Sequence, residues 1–294
     1  MVIENKAPGK DVTLDDLRTK FPLAAKKNPE HKSSFEVNGV VFGGKNIPIF
    51  AGPNMVESKD LILNIAKFLK SQKIDFLRGG AFKPLTFPYR SPKYTETRED
   101  GLKWLKEAKE ETGINIITEI MHPSFLGKID FVDIIQIGAR NMQNYPFLQE
   151  CAKTKKPIML KRHFGCSIRD LLGAAEYILL EGNNRVILCE RGVSAPHTHR
   201  TTSRFLLDLQ SIPALQELTH LPIASDPSHA CFWRPWVKSL SNASIAVGAD
   251  SLMLEVHPDP PNAAVDPLQA IDFDELTEIH KTLKGIANVL GRTI

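Results

Sequence analysis

The segment IPIFAGPN, residues 47–54, is a short apolar run that stops at Gly-Pro-Asn and places Asn54 just past its end. Seven more apolar runs, rich in β-branched residues, follow it along the chain. They occupy residues 75–80, 115–120, 133–138, 157–162, 185–192, 222–226 and 251–257. Because these runs are apolar on both faces, they are typical of strands in a parallel sheet that is covered by helices.

Helical patterns lie between most of these strands, at residues 60–70, 99–113, 167–182 and 273–291. Ser167 and Asp170 have the spacing of a capping box, and Gly113 suits a helix C-terminus. The link between residues 120 and 133 has room only for a short helix. Eight strands with helical crossovers over about 240 residues predict an α/β fold, the (β/α)8 TIM barrel. An open doubly wound sheet is the alternative, but no GxGxxG follows the first strand, so a dinucleotide-binding fold is not favoured.

The region before the first strand divides into two parts. Residues 1–33 are polar and rich in lysine, and we interpret them as a short extension with one helix at most. SFEVNGVVFGG, residues 34–44, alternates around Asn38-Gly39, which predicts a β-hairpin. We therefore expect an N-terminal extension (1–33) and one barrel domain (34–294) that includes the hairpin.

Composition narrows the class of protein. With 294 residues, 42% of them hydrophobic, the chain is long enough for one large core. A net charge of +3 is too mild to indicate a nucleic-acid partner, and no run approaches the roughly 20 apolar residues of a membrane span. The N-terminus lacks the apolar region of a secretory signal, and the four cysteines show neither a metal-binding nor a disulfide pattern. We expect a cytoplasmic protein with reduced thiols.

Basic side chains recur at the carboxyl ends of the predicted strands, which meet at one mouth of such a barrel. Five of them come from four strands: Arg78, Lys83, Arg140, Lys161 and Arg191. Guanidinium and ammonium groups bind phosphate and carboxylate, so the cluster predicts a small, multiply charged anion as ligand. The alternative for any one of them is an ordinary ion pair with a nearby acid.

Acidic and imidazole groups form a second cluster at the last strand ends. His229, Glu255 and Asp266 are residue types that bind divalent metals, and Asn54 would lie near them as a fourth group. A single His or Glu in such a place is more often structural.

Eight motifs, in order, give the chain a resemblance to a known family over about residues 35–290. They are FAGPN-VES (50–58, with Met55 between), RGGAFKP (78–84), TEIMHP (118–123), QIGARNMQN (136–144), LKR (160–162), VILCERG (186–192), DPSHA (226–230) and LEVHPDP (254–260). The chain resembles the 3-deoxy-D-arabino-heptulosonate 7-phosphate synthases, in the short type that shares ancestry with the 3-deoxy-D-manno-octulosonate 8-phosphate synthases. The resemblance implies a (β/α)8 barrel that condenses phosphoenolpyruvate with an aldose and releases inorganic phosphate. It also implies a homo-oligomer, a dimer or a tetramer.

Site residues follow from this resemblance position by position. The phosphoenolpyruvate site would consist of Arg78, Lys83, Glu119, Arg140, Lys161 and Arg191. Lys83 would act as an acid toward the aldehyde oxygen, and Glu119 would stabilise positive charge at C2 of the enol. His229 and Asp226 would orient the acceptor or the water.

The metal site departs from the family pattern. The family has a Cys in AGPC, the His of DPSHA, the Glu of EVHP and a later Asp; here the last three are His229, Glu255 and Asp266, and Asn54 replaces the Cys. A neutral carboxamide is a weak ligand for transition metals, and metal-independent octulosonate synthases also have Asn here. We predict that no metal is required, although a divalent ion could still bind the three remaining residues. Asn54 would hold a water or a substrate hydroxyl, unless it merely stabilises a turn.

The acceptor site departs as well. The family motif KPRTS grips the aldose phosphate with its Arg and Thr, whereas this chain has KPLTF, residues 83–87, with Leu85 in place of the Arg beside Thr86. Arg90 could supply the lost charge; otherwise the acceptor is an octulosonate-type substrate or an unphosphorylated aldehyde. Two further alternatives are a Schiff-base aldolase that uses Lys161 and a non-catalytic binding homologue.

Overall fold

The N-terminal hairpin has the predicted form in the computed structural model, which describes residues 14–82, 96–196 and 204–294. Strands β1 (Phe35–Val37) and β2 (Val40–Phe42) pair antiparallel, with Phe35 opposite Phe42. Asn38 and Gly39 both have positive φ, 48° and 86°, as a two-residue type I′ turn requires.

Eight parallel strands form a closed barrel. They are β3 (Ile49–Gly52), β4 (Phe76–Arg78), β5 (Asn115–Glu119), β6 (Ile134–Ile137), β7 (Ile158–Lys161), β8 (Val186–Glu190), β9 (Ile223–Ser225) and β10 (Ser251–Glu255). Neighbours in sequence pair in register, and β10 closes the barrel by pairing with β3, with Leu252 opposite Ile49. The predicted (β/α)8 barrel and all eight predicted strands are confirmed.

Helices surround the barrel within the described ranges. They are α1 (Leu14–Lys20), α2 (Lys59–Ser71), α3 (Arg98–Thr112), α4 (Tyr145–Lys153), α5 (Ile168–Leu180), α6 (Ser211–Leu218), α7 (Pro227–Cys231), α8 (Arg234–Ala246) and α9 (Phe273–Val289). Ser167 and Asp170 form the predicted capping box of α5, and Gly113 ends α3 with φ 66°. The tight link after β5 holds only a 3-10 helix, Pro123–Lys128. None of the helices in the described ranges is both long and apolar enough to cross a membrane.

The hairpin closes the amino-terminal end of the barrel. Phe42 is fully buried, and its ring lies 5.7 Å from that of Phe50 and 5.6 Å from that of Phe76, both inside the barrel. The Asn38 side chain donates to Asn115 Oδ1 (2.9 Å) and Asp133 Oδ1 (2.7 Å), where β5 and β6 begin. Because this end is plugged with aromatic side chains, the carboxyl end of the barrel is the one left to bind a ligand.

The described part of the predicted extension packs against the outside of the barrel. Leu17 is fully buried, and the Glu176 carboxylate on α5 accepts from the backbone N–H groups of Leu23 (2.8 Å) and Ala24 (2.6 Å). Ala25 forms an isolated bridge with Thr219. The domain boundary at residue 33 stays a prediction.

All four cysteines are buried and none forms a disulfide, as their spacing predicted. Burial raises the pKa of the Cys189 thiol, inside the barrel, to about 12. These thiols pack as small apolar side chains, and we assign them no chemical role.

The stability of the fold should depend on pH through His280, a buried residue of α9. Burial, aided by the nearby charge of Lys284, lowers its pKa from 6.5 to about 4. The unfolded chain therefore binds a proton between these values while the folded chain does not, so stability is lost as the pH falls from 6.5 to about 4. The loss is about 3 kcal/mol. In His280→Leu this part of the acid sensitivity should disappear, which urea unfolding across the pH range would measure. At a pH above 8, where the imidazole is neutral in both states, the variant should show only a pH-independent offset; an unchanged acid slope would contradict the assignment.

Candidate active site

Three of the predicted cations lie buried at the carboxyl mouth of the barrel. Arg78 ends β4, Lys161 ends β7 and Arg191 directly follows β8, and their exposed fractions are 3%, 4% and 7%. Arg140, in a 3-10 helix after β6 (Ala139–Asn141), is exposed. Four other predicted site residues lie outside the described residues: Lys83, Leu85, Thr86 and Arg90.

Asp226 connects two of the predicted groups. It caps the N-terminus of α7, and its Oδ1 accepts from the His229 backbone N–H (3.1 Å) and lies 3.0 Å from His229 Nδ1. Its Oδ2 accepts from the Lys161 ammonium. Burial raises the pKa of Asp226, but its interactions with His229, Lys161 and Arg78 outweigh it and hold this pKa well below the usual range. Asp226 is therefore a fixed anion at the base of the mouth.

His229 is a neutral imidazole in this setting. Burial, with the charges of Lys161 and Arg78, lowers its pKa well below 6.5, against the opposing effect of Asp226. Because the Asp226 carboxylate accepts a hydrogen bond from Nδ1 of His229, the proton of the neutral ring is on Nδ1, and Nε2 is an acceptor. Nε2 lies 3.4 Å from Glu255 Oε2, also an acceptor, so this pair is arranged to receive hydrogen bonds from a shared donor.

Asn54 bridges Arg78 and Asp266, and the chemistry of its partners fixes how its amide points. Arg78 only donates, so the atom 2.7 Å from its Nη2 is Oδ1 of Asn54. Asp266 accepts, so Nδ2 of Asn54, at 2.8 Å, donates to Oδ2 of Asp266. The one atom of Asn54 that could bind a metal is therefore turned toward a guanidinium.

Both carboxylates of this cluster already have hydrogen-bond donors. Arg78 Nη1 lies 3.5 Å from Glu255 Oε2, which also accepts from Gln269 Nε2. Arg204 Nη2 donates to Asp266 Oδ1 (2.7 Å), and its guanidinium lies 3.6 Å over the Phe232 ring. Arg204 was not among the predicted site residues, because its partner Asp266 is 62 positions away along the chain.

Glu119 lies in a narrow cleft together with Asn54 and Arg78. Gln136 Nε2 donates to its Oε2 at 3.2 Å, which fixes the carboxylate. A Cβ at Gly138 would be 1.8 Å from Glu119 Oε1, so the carboxylate occupies space that glycine leaves open. The conformation of Glu119 is thus set by β6 and the turn that follows it.

Arg162 and Arg191, on adjacent strand ends, have opposite surroundings. Arg162 Nη1 forms ion pairs of 2.9 Å with both Glu190 and Asp208, so its charge is matched within the protein. Nη2 of Arg191 donates to the backbone oxygen of His229 (3.3 Å), and its buried Nη1 has no hydrogen-bond partner among the described residues. A buried guanidinium without a carboxylate is costly unless an anionic ligand reaches it.

Comparisons with known proteins agree with this architecture. The sequence matches the DAHP synthetase I family over residues 21–291. It is 38% identical over 272 residues to a phospho-2-dehydro-3-deoxyheptonate aldolase of Thermotoga maritima, which covers 92% of this chain and 79% of the relative. A 2-dehydro-3-deoxyphosphooctonate aldolase of Syntrophotalea carbinolica is 28% identical over 282 residues, 88% of this chain and 98% of the relative.

Solved structures show the same likeness. A crystal structure of the Thermotoga maritima phospho-2-dehydro-3-deoxyheptonate aldolase has a TM-score of 0.85 at 38% identity, covering 92% of this chain and 77% of that one. A truncated form of the 3-deoxy-D-arabino-heptulosonate 7-phosphate synthase from the same organism has a TM-score of 0.84 at 36% identity, covering 93% and 99%. Because the family match spans almost the whole chain, the chain belongs to the DAHP synthetase I family.

Proposed function

We propose that the chain condenses phosphoenolpyruvate with an aldehyde sugar, with addition of water at C2 and release of inorganic phosphate, to give a 3-deoxy-2-ulosonic acid. The observation that carries this proposal is the buried Nη1 of Arg191 at the barrel mouth, which has no partner within residues 14–82, 96–196 and 204–294 and lies beside His229 and the Lys161–Asp226 pair. An anion with phosphate and carboxylate groups supplies the charge that this guanidinium lacks.

The donor is held by positive side chains of several strands. Lys161 and Arg191 bind its phosphate and carboxylate from the floor of the mouth, and Arg140 reaches them from the exposed turn after β6. Arg78 and Lys83 complete the set. Arg78 is already fixed by Asn54 and Glu255, so it needs little reorganisation when the anion binds.

Bond formation begins when C3 of the enol attacks the aldehyde carbon, so that positive charge develops at C2 and negative charge on the aldehyde oxygen. Glu119, held by Gln136, stabilises the charge at C2, and Lys83 protonates the aldehyde oxygen. Water then adds to C2, losing a proton, and the tetrahedral intermediate breaks its C2–O bond to release phosphate and leave a ketone. His229 Nε2 and Glu255, as paired acceptors, orient the attacking water or an acceptor hydroxyl.

Inorganic phosphate is the direct readout. The purified chain should release it when phosphoenolpyruvate is mixed with a suitable aldehyde, and should release none with either substrate alone. A folded chain that releases no phosphate with any aldehyde of a broad panel would refute the proposed reaction.

Phosphorylated and unphosphorylated acceptors are distinguished by the same panel. A seven-carbon product requires a four-carbon aldose phosphate and an eight-carbon product a five-carbon one, because the donor adds three carbons. Leu85 in KPLTF supports an altered acceptor, since a charge-assisted contact to the acceptor phosphate is worth about 1.5–3 kcal/mol. We infer that unphosphorylated aldehydes compete better here than in relatives that keep the Arg. If this chain prefers phosphorylated acceptors as strongly as those relatives do, the inference is contradicted.

A divalent metal fits the mouth poorly. His229, Glu255 and Asp266 have ligand atoms within 4.8 Å of one another, but Asn54 presents its N–H2 group to Asp266 rather than an oxygen. Arg78 and Arg204 match the charges of the two carboxylates. This donor set supports a reaction that does not require a metal.

Treatment with a chelator tests this. We expect phosphate release to be unchanged after exhaustive dialysis against EDTA, and unchanged again when Mn²⁺ or Zn²⁺ is added back. The matched variant is Asn54→Cys, which restores a thiolate ligand and should gain measurable Zn²⁺ binding by calorimetry, even if it is inactive. Loss of wild-type activity on chelation, with recovery on metal addition, would overturn the proposal.

A Schiff-base aldolase is the second candidate, through Lys161. The Lys161 ammonium is buried and donates to Asp226, so the nitrogen that would attack a carbonyl is held in an ion pair. Borohydride reduction in the presence of a keto acid should therefore leave the mass of the chain unchanged. A stable adduct at Lys161 would favour the aldolase.

The expected homo-oligomer stays a prediction, which light scattering would check.

A further inference from the structure

Arg191 lies against an aromatic ring that belongs to the segment after β8. The guanidinium carbon of Arg191 is 4.5 Å from the centroid of the Phe205 ring. Such a cation–π contact is stronger when the cation is buried, and the exposed fraction of Arg191 is only 7%. Among the described residues, no carboxylate forms an ion pair with Arg191, so the ring is the group that lies over its charge.

Phe205 is itself fixed by the backbone around it. Val193 and Leu206 exchange two backbone hydrogen bonds, of 2.9 and 3.0 Å, and the Phe205 N–H donates to the Ala230 carbonyl at 3.3 Å. A Cβ added at Gly192 would lie 2.7 Å from the Cβ of Phe205, and Gly192 has φ 96°. Glycine at 192 therefore lets this segment approach closely enough for the ring to cover Arg191.

Two further rings support Phe205 from the neighbouring loop after β7. Phe164 stacks on Phe205 with 4.8 Å between ring centroids, and His163 lies 4.1 Å from Phe164. The Ser194 N–H donates to the Phe164 carbonyl at 2.7 Å, which ties the two loops together. His163, Phe164 and Phe205 form a wall of stacked rings with Arg191 at one end.

The contacts of Arg191 leave one edge of its guanidinium without a protein partner among the described residues. Phe205 covers one face, Nη2 donates to the His229 carbonyl, and the Nη1 edge is left without a partner among the described residues. A guanidinium held in one orientation loses less entropy when it binds an anion than a free one does.

We propose that Phe205 is a positioning residue for the donor site: it holds Arg191 so that its Nη1 edge faces the anionic groups of phosphoenolpyruvate. This inference rests on the proposed function. Phe205 does not touch the reacting atoms, and it acts through Arg191 alone.

Phe205→Leu tests the inference, because leucine keeps the apolar contact and removes the π face. We expect the Kd of phosphoenolpyruvate, measured by calorimetry, to rise about tenfold. The KM for phosphoenolpyruvate should rise with it, while the KM for the aldehyde stays the same. Phe205→Tyr keeps the ring and should bind the donor like the wild type.

Phe232→Leu is the matched control. The Phe232 ring also lies under a guanidinium, but under that of Arg204, which pairs with Asp266. Its donor Kd should be unchanged. If Phe205→Leu binds the donor as tightly as the wild type does, the positioning role is overturned and the proposed reaction is not. The same conclusion follows if Phe232→Leu loses as much donor affinity as Phe205→Leu. Failure of the wild type to bind the donor at all would overturn both.

Discussion

Replacing Arg191 by Met should weaken donor binding strongly without destabilising the fold. The side chain keeps its length and loses its charge, so the phosphate or carboxylate of phosphoenolpyruvate is left without its buried partner. Truncating one side of such a pair costs about 2–5 kcal/mol, so we expect the Kd of phosphoenolpyruvate to rise roughly 100-fold or more. Calorimetry would measure the loss of donor affinity, and phosphate release would measure the loss of activity that follows from it.

The distinguishing result is the stability of Arg191→Met. In the wild type, burial lowers the pKa of Arg191, with the charge of Asp226 acting against this, because the interior penalises the cation. Methionine removes that penalty, so the free energy of unfolding should stay the same or rise. A variant that loses donor binding because it is much less stable than the wild type would show that Arg191 is structural.

Replacing Arg162 by Met should have the opposite effect. Arg162 and Arg191 are both buried at adjacent strand ends, but Arg162 is paired with Glu190 and Asp208. Glu190 is fully buried, and its carboxylate also accepts from the Gly192 N–H (2.7 Å). Removing Arg162 leaves this charge uncompensated, so we expect a loss of about 3–5 kcal/mol in the free energy of unfolding, measured in urea.

Glu190 provides a control for the predicted loss of stability in Arg162→Met. Burial raises the pKa of Glu190 and Arg162 opposes the rise, so the pKa should be higher still in Arg162→Met. The folded variant then binds a proton more readily than the unfolded chain, and its stability deficit should shrink as the pH is lowered. Adding Glu190→Gln should recover part of the loss at neutral pH. A deficit that neither acid nor the second substitution reduces would indicate lost packing instead.

The fold was predictable because its signals are local. Each strand from 49–52 to 251–255 is a short apolar run, and the hairpin turn and the capping box of α5 follow from residues within four positions of each other. The family motifs also predicted which side chains lie at the strand ends. Arg78, Lys161 and Arg191 lie at the mouth, as the sequence analysis predicted.

Pairing at the mouth was not predictable in the same way. The five cations were predicted to bind one external anion, with an ion pair to a nearby acid as the alternative for any single one. Lys161 pairs with Asp226 and Arg78 with Glu255, 65 and 177 positions away along the chain, and the sequence did not show which cations would pair. Arg204 and Phe205 were not singled out, although they contact Asp266 and Arg191. No periodicity connects residues at such separations.

The amino-acid sequence by itself determined the barrel, its N-terminal hairpin and the set of charged groups at the strand ends, because strand and turn preferences act between near neighbours. Only the tertiary structure decided which of the described charges are matched by carboxylates and which are not. Closing β10 against β3 brings distant strand ends within hydrogen-bond distance, and burial there makes each unpaired charge costly. That is why Arg162 is held by two carboxylates while Arg191, its neighbour at the mouth, has a free edge among the described residues.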